Sequence, residues 1–329
     1  MTLRDNLLKI LADGEYHSGQ ALAVHFNMTR AGIWKIIKAL QQANITIISH
    51  HRQGYKLAHP LELLDKNRIL SALPADVVAC VKQCDILQTI DSTNTYLMNQ
   101  AHLPSLSLCL AEQQTAGRGR RGRVWVSPFA SNIYLSLLYE FPGGPSTLAG
   151  LSVAIGVMVL NALKSQGIND LQLKWPNDIL LKGRKVGGIL IDMQGEAQGP
   201  CRVVIGVGIN VAMSEEAANQ IEQLWTNLES HYPLRLSRNQ LCAAIITQLV
   251  RALPEFVDEG LAPFYDTWCE HDALHQRTIT FTTPQGASTG TAIGLTLEGN
   301  LDVLTPQGRM TLHSGEVSVK LDSTISTVK

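Results

Sequence analysis

What the chain lacks narrows its class before any motif is read. It has no excess of charge of either sign: 27 lysines and arginines stand against 28 aspartates and glutamates, a net charge of −1. A protein that coats nucleic acid with its whole surface is basic throughout, so any nucleic-acid contact here is expected to be local. Metal-site spacing is lacking as well. The six cysteines (80, 84, 109, 201, 242 and 269) are scattered. Cys80 and Cys84 are the one close pair, and they have neither a second pair nor a histidine partner at zinc-finger distance. They read as reduced, mostly buried thiols of a cytoplasmic protein. No apolar run is read as a membrane span: "LAGLSVAIGVMVLNAL" carries glycines and polar residues and suits a buried helix. The N-terminal "MTLRDNLLKILADGEYHS" contains acids and reads as an amphipathic helix, not a signal peptide. There is no internal repeat, no low-complexity tract and no Ser-His-Asp logic. The 329 residues, 45% hydrophobic, suffice for two or three domains with real cores and no membrane contact.

What is present falls into three segments. In the first, residues 1–60, Leu7, Leu8 and Leu11 mark the inner face of one helix. "SGQALAVHF" is a short second helix capped by Ser18, and Thr29 caps a third, "RAGIWKIIKALQQA". In that third helix Ile33, Ile36, Ile37 and Leu40 face inward at helical spacing. "ITIISHHRQGYKL" reads as two strands around an Arg-Gln-Gly turn. Helix, helix, turn, helix, hairpin is the order of a winged helix-turn-helix. Its charge fits that order: Arg4, Lys9, Arg30, Lys35, Lys38, Arg52 and Lys56 outnumber Asp5, Asp13 and Glu15. Thr29, Arg30, Trp34, Lys35 and Lys38 on the third helix, with Arg52 and Lys56 on the wing, are the expected DNA-contacting residues. A small helical docking module with a solvated basic face is the alternative.

"AHPLELLDKNRILSALP" bridges to the second segment, residues 67–270, a mixed α/β domain. Strands are expected in "VKQCDILQTI", "SLSLCLAE", "RVWVS", "NIYLSLLYE", "LQLKWPN", "KVGGILIDM" and "CRVVIGVGINVAM". Helices are expected in "NTYLMNQA", "STLAGLSVAIGVMVLNALKSQG" and "RNQLCAAIITQLVRALPEF". The third segment, residues 271–320, is all short strands and glycine turns, "RTITFTT", "GASTGTAIGLT", "GNLDVLT" and "GRMTLHSGEVSVK", which suits a small SH3-like β-barrel. The fold class is therefore α+β.

The stretch "AGRGRRGRVWVSP", residues 116–128, satisfies G-x-G-x-x-G but has arginine at all three variable positions, with Arg123 as a fourth. A dinucleotide site needs a helix to follow and a close approach of backbone to pyrophosphate, and neither fits here. A glycine-rich turn studded with guanidinium groups is instead an anion clamp, mobile until an anion neutralises it. An exposed or RNA-contacting basic loop is the alternative. "KWPND", residues 174–178, sets Lys174, Asn177 and Asp178 around Pro176, suited to phosphate and to a metal; an ordinary Asx turn would look the same. Lys185 precedes the paired glycines of "KVGGILID", and Gly206 and Gly208 interrupt "IGVGIN", where a ligand can approach the backbone. Ser92, Thr93 and Asn94 open a helix and serve either as its cap or as readers of a small polar head group.

In succession, "DSTN", "EQQTAGRGRRGR.W.SP", "KWPND", "K.GGIL.D" and "G.GIN" resemble the biotin protein ligases over nearly the whole chain. With the helix-turn-helix in front, the resemblance is to the bifunctional ligases that also repress the biotin operon. It implies ATP-dependent activation of biotin to biotinyl-5′-adenylate, then transfer to a lysine of a biotin carboxyl carrier protein. Carried over, Ser92, Thr93, Asn94 and Gln114 hold the ureido ring, and Gly117 and Arg118 contact biotin. Trp125, Gly188, Gly206 and Gly208 line the valeryl tail. Lys185, Arg118, Arg120 and Asp178 are the implied catalytic residues. Arg118, Arg120, Arg121, Lys174, Asn177, Lys185, Asn210, Trp225 and Lys320 are the implied nucleotide contacts, Lys320 standing where the family often has arginine. Magnesium enters on ATP, with Asp178 its protein partner. The adenylate is the implied corepressor: it orders the loop and stabilises a homodimer, with "KVGGILIDMQG" as the expected edge, and two heads then reach operator DNA of the biotin-synthesis genes. Two rivals stay open on residues alone: a ligand-sensing transcription factor without ligase activity, and a lipoate or octanoate transferase. The latter is not expected to carry this arginine loop or a DNA-binding head.

Overall fold

The computed structural model describes residues 3–42, 45–58, 61–195, 199–219, 221–232, 236–283, 286–314 and 318–321. The N-terminal unit contains α1 (Leu3–Leu11), α2 (Gly19–His25), α3 (Arg30–Gln42) and the hairpin β1 (Ile47–His50) to β2 (Gly54–Leu57). Both expected caps form: Ser18 Oγ accepts from Ala21 N at 3.0 Å, and Thr29 Oγ1 from Gly32 N at 3.1 Å. Leu7, Leu11, Leu22, Ile33, Ile37, Leu40 and Leu57 close its core, while Ile36 sits half-buried at the margin. The wing is anchored at its base. His17 and Tyr55 exchange two backbone bonds of 2.9 Å. Gly54 has φ +105°, and a Cβ there would lie 2.0 Å from the His17 carbonyl oxygen, so no other residue fits.

The connecting stretch is itself helical, with α4 (Lys66–Ala72), capped by Asp65, and α5 (Ala75–Cys80). The central unit follows as β3 (Gln83–Ile90), α6 (Thr93–Asn99), β4 (Ser107–Gln114), β5 (Ile133–Phe141), α7 (Leu151–Ser165), β6 (Leu171–Lys174), β7 (Asp178–Leu181), β8 (Arg184–Gly195), β9 (Cys201–Ile209), α8 (Arg238–Glu259) and α9 (Ala262–His271). The strands make one seven-stranded sheet in the order β3-β4-β5-β9-β8-β7-β6, antiparallel except for the β3–β4 pair. Alternation along each strand divides the apolar residues between two faces. Leu108, Leu110, Leu137, Val203 and Ile205 join α7 and α8 in the main core. Cys109, Leu138 and Val204 meet Leu97 of α6 on the other face.

One expectation needs correction. "RVWVS" is not a strand: it makes a single bridge, Arg118 to Val124, in a loop that closes on itself through Trp125 N to Gly117 O at 2.9 Å. Arg121 (φ 58°) and Gly122 (φ 72°) turn the chain too sharply for a ladder, and Pro128 ends it. "GRMTLHSGEVSVK" supplies two short strands, at opposite edges of one sheet. Pro145–Ser165 and Arg238–Glu259 are long and apolar enough to cross a membrane by length and composition. In place, 61% and 50% of their most apolar windows are buried inside the protein, α7 and α8 being core helices. All six cysteines are free, but Cys80 is only half-buried and Cys269 is exposed. Burial pushes the Cys84 thiol up to about 11, and it stays protonated at neutral pH.

The last unit is β10 (Thr278–Thr283), β11 (Gly286–Leu295), β12 (Leu301–Thr305), β13 (Gly308–Leu312) and β14 (Ser318–Leu321), an antiparallel sheet in the order β13-β12-β11-β10-β14, as the small SH3-type unit requires. Ile279, Phe281 and Val303 run into the same core as Trp268 and Leu261. Trp175 Nε1 donates to Gly299 O at 2.9 Å and Tyr265 Oη to Leu295 O at 2.8 Å, so polar ties cross the same boundary.

One buried charge pair braces the base of β4. Glu112, fully buried, lies 2.8 Å from Arg238, which is 3% exposed. Glu112 also accepts from Leu64 N at 2.5 Å, and Arg238 donates to Asn132 O at 3.1 Å. Arg238→Met is expected to lower unfolding free energy by about 3–5 kcal/mol in urea titrations, because it strands a carboxylate in the core. Adding Glu112→Gln should recover part of that loss.

Candidate active site

The glycines of β8 and β9 open a slot in the sheet. Gly188 faces Gly208 and Leu190 faces Gly206 across the two strands. A Cβ on Gly208 would stand 2.6 Å from the Trp125 ring, and one on Gly206 would stand 2.3 Å from Asn94 Oδ1. Both positions must be glycine for the indole and the amide to pack there. The slot belongs to a cavity of ≈ 1050 Å³, counted with its open mouth, which is ample for a small molecule.

At the inner end, polar groups form a nest on the N-terminus of α6. Ser92 caps the helix, and Ser92, Thr93 and Asn94 are all buried. Gln114 Oε1 accepts from Thr93 N (2.9 Å) and Thr93 Oγ1 (3.2 Å), and Gln114 Nε2 donates to Ser127 Oγ at 3.1 Å. Ser136 Oγ lies 2.7 Å from Thr93 Oγ1 and 2.5 Å from Asn94 Oδ1. Asn94 Nδ2 donates to Leu190 O at 3.2 Å and Asp192 Oδ2 at 2.9 Å. Such a nest offers donors and acceptors to a neutral, hydrogen-bonding head group.

The outer end is cationic. Arg118, Arg120, Arg121, Arg123, Lys174 and Lys185 line the wall, and Asp178 is the one carboxylate among the described lining residues. Lys185 Nζ sits 2.6 Å from Asp178 Oδ1 and 5.5 Å from the centre of the Trp125 ring. Arg118 reaches Asp192 at 2.8 Å. Arg120 donates to Asn177 Oδ1 at 3.4 Å and to the Ser314 carbonyl, tying the loop to "KWPND" and to the last unit. Burial, with Arg121 alongside, pulls the Arg120 guanidinium below its ordinary value, yet a guanidinium remains charged at neutral pH. Six cations around one carboxylate call for an anionic ligand.

The chain matches known proteins along most of its length. Residues 4–56 match a helix-turn-helix domain, 86–210 the biotin/lipoate A/B protein ligase family, and 276–320 the biotin protein ligase C-terminal domain. The bifunctional ligase/repressor BirA of Salmonella typhimurium is 38% identical over 296 residues, covering 90% of each chain. The chain belongs to the bifunctional biotin ligase/repressor family. The Escherichia coli member of that family is 39% identical over 274 residues, 83% of each chain. In structure, the biotin protein ligase from Aquifex aeolicus in complex with biotin and ATP superposes with a TM-score of 0.63 at 26% identity, covering 73% of this chain and 99% of that one.

Within this family member, most residues singled out from sequence line one cavity: Ser92, Thr93, Asn94, Gln114, Arg118, Arg120, Arg121, Trp125, Lys174, Asn177, Asp178, Lys185, Gly188, Gly206 and Gly208. Gly117 lies behind the wall, where a Cβ would meet Trp125 O at 2.5 Å; it closes the loop. Asn210 is buried and braces the Thr226 carbonyl at 3.2 Å. Trp225 follows β8 through a bridge to Lys185, flanked by Lys185 N to Leu224 O at 3.1 Å and Thr226 N to Lys185 O at 2.9 Å, which fixes where Lys185 stands. Lys320 is on β14, with its side chain outside the described set. Sequence reasoning gave no role to Ser136, nor to Ser127 and Asp192, although the last two stand in the motifs "W.SP" and "K.GGIL.D". Ser136 and Asp192 lie within strand runs, where only register reveals that they share the face of Gly206. In the N-terminal unit Arg30, Trp34, Lys35, Lys38 and Arg52 are exposed. Lys38 lies 5.9 Å from the Trp34 ring and Lys56 4.9 Å from Tyr16, whereas the Thr29 hydroxyl is spent on the cap.

Proposed function

We propose that the protein is an ATP-dependent biotin protein ligase that also represses biotin-synthesis genes, acting in the cytoplasm. Residues 1–60 read DNA, 67–270 carry the chemistry, and 271–320 complete the site. The observation that carries the proposal is the polarity of one cavity: a neutral hydrogen-bonding nest at one end, a glycine slot under Trp125, and six cations at the other. A bicyclic urea, an aliphatic tail and a carboxylate meeting a triphosphate have that same sequence of chemistries.

Two anions must meet when the biotin carboxylate attacks the α-phosphate and pyrophosphate leaves. Lys185 and the loop arginines offset that repulsion and the charge that grows on the leaving group. The carrier lysine amine then attacks the acyl carbonyl and AMP departs, with no covalent enzyme intermediate. Among the described residues no three His, Cys, Asp or Glu side chains gather as a metal site. Magnesium is read as an ion carried by ATP phosphates, with Asp178 the carboxylate at hand. Incubation with ATP, biotin and a carrier domain should give a 1:1 biotinyl adduct by mass; pyrophosphate release that never starts would defeat the reading.

Repression rests on the N-terminal unit and on a sheet edge. β7 pairs with β8 only as far as Gly188, whereas β9 pairs with it through Gly195. The far half of β8 thus has one open side, with Met193 56% exposed, and we take it as the edge where a second, adenylate-bound copy pairs. Deleting residues 1–60 is expected to abolish operator binding measured by anisotropy with biotin and ATP present. Binding that survived the deletion would place the reader elsewhere.

A further inference from the structure

Asp192 lies one rung beyond the glycine slot, opposite Val204 on β9 and on the same face as Leu190 and Gly206. It is absent from the cavity wall. Its Oδ2 nevertheless accepts from two side chains that do form the wall, Asn94 Nδ2 at 2.9 Å and Arg118 NH2 at 2.8 Å. Nothing above gives this carboxylate a role.

The hydrogen bonds around Asn94 show what it does. A primary amide has two hydrogens on nitrogen and two acceptor positions on oxygen. Both Asn94 hydrogens have acceptors, Leu190 O and Asp192 Oδ2, while Oδ1 faces the Ser136 hydroxyl. A flipped amide would set its oxygen against a carbonyl and a carboxylate at once, which is repulsive in a buried setting. The side chain is therefore locked with nitrogen toward β8, and the spare capacity it shows the cavity is an oxygen lone pair. Gln114 is the complement: its oxygen takes two bonds from Thr93 and its nitrogen only one acceptor, Ser127, which leaves an amide hydrogen to give.

We propose that Asp192 is a specificity-determining positioning residue: it locks the Asn94 amide so that the nest demands an N–H from the ligand at that point. This rests on the biotin reading, since a cyclic urea supplies such an N–H next to a carbonyl that a donor like Gln114 can hold. An Asp192→Asn side chain can turn either its oxygen or its nitrogen toward Asn94, so the lock falls to the Leu190 carbonyl alone with almost no change of shape. A site built to pair a ligand hydrogen strongly rejects an analogue lacking it, and loses that selectivity when the pairing group can turn.

The test compares biotin with its two cyclic carbamate analogues, in each of which one ureido N–H is a ring oxygen. Pyrophosphate release is measured for the full-length protein and its variants. The wild type is expected to favour biotin over one of the two by at least about 100-fold in kcat/KM. Asp192→Asn should cut that ratio about tenfold, by raising KM for biotin with kcat within about twofold and KM for ATP unmoved. Asp192→Glu, which keeps a carboxylate, should restore part of the ratio. An unchanged ratio in Asp192→Asn, or a ratio that Asp192→Glu does not restore at all, would overturn the proposal while leaving the biotin reading intact. A wild type that releases no pyrophosphate with biotin would overturn both.

Discussion

Lys185→Met is expected to reduce kcat for pyrophosphate release by about 10²–10³-fold, the usual cost of losing one positioned charge at a reacting centre. The geometry gives two reasons for so large an effect. The ammonium is only 16% exposed and lies beside the Trp125 ring, so water replaces it poorly. Its removal also leaves Asp178, now 2.6 Å from Nζ, as an uncompensated negative charge facing an anionic substrate. Arginine should not rescue it, because a planar fork does not fit a site shaped for one point charge between Asp178 and an indole. Single-turnover measurement separates this loss from one in binding. A variant that keeps more than about a tenth of the rate would remove Lys185 from the chemistry.

Arg120→Gly is expected to raise the rate at which the adenylate escapes by about 10–100-fold, in line with losing one or two charge-assisted hydrogen bonds. Arg120 is the loop residue with partners outside the loop on both sides, Asn177 and the Ser314 carbonyl. The next residue, Arg121, holds a left-handed φ of 58° that costs roughly 1–2 kcal/mol for a side chain of this kind. Once the tie at Arg120 is cut, the turn is no longer anchored to Asn177 or to the last unit, and its relaxation is opposed by fewer contacts. The check is a chase of labelled adenylate into a trap. Retention as tight as in the wild type would contradict the clamp, while slower transfer to carrier with normal retention would place Arg120 in the second step.

Much of this site could be read from the chain because its parts are local. "GRGRRG" and "KWPND" each bring several polar residues together within six positions, so neither needs the sheet to assemble it. The caps of α2, α3 and α6 were visible for the same reason, a hydroxyl placed three residues before the amide it serves. What escaped depends on register or on burial. β7 is four residues, Asp-Ile-Leu-Leu, with apolar side chains to both faces, and so has no alternation to detect. α9 follows α8 after a short break at Gly260 and has a proline, Pro263, as its second residue, so its start resembled the end of its neighbour. "RVWVS" alternated like a strand because Trp125 turns to the cavity and Ser127 to Gln114, a pattern made by the site and not by a sheet. Asp192 stood in the motif "K.GGIL.D" with no role attached, because its partners come from two other elements.

The route from Arg120 to Ser314 and from Trp175 to Gly299 has a bearing on how the protein is made. The ribosome delivers the seven-stranded sheet first, with its arginine loop and tryptophan still waiting for carbonyl groups more than a hundred residues away. Newly synthesised chains therefore pass through a stage in which the catalytic half is complete in sequence but unlatched, and they gain a finished pocket only when the final strands have cleared the exit tunnel.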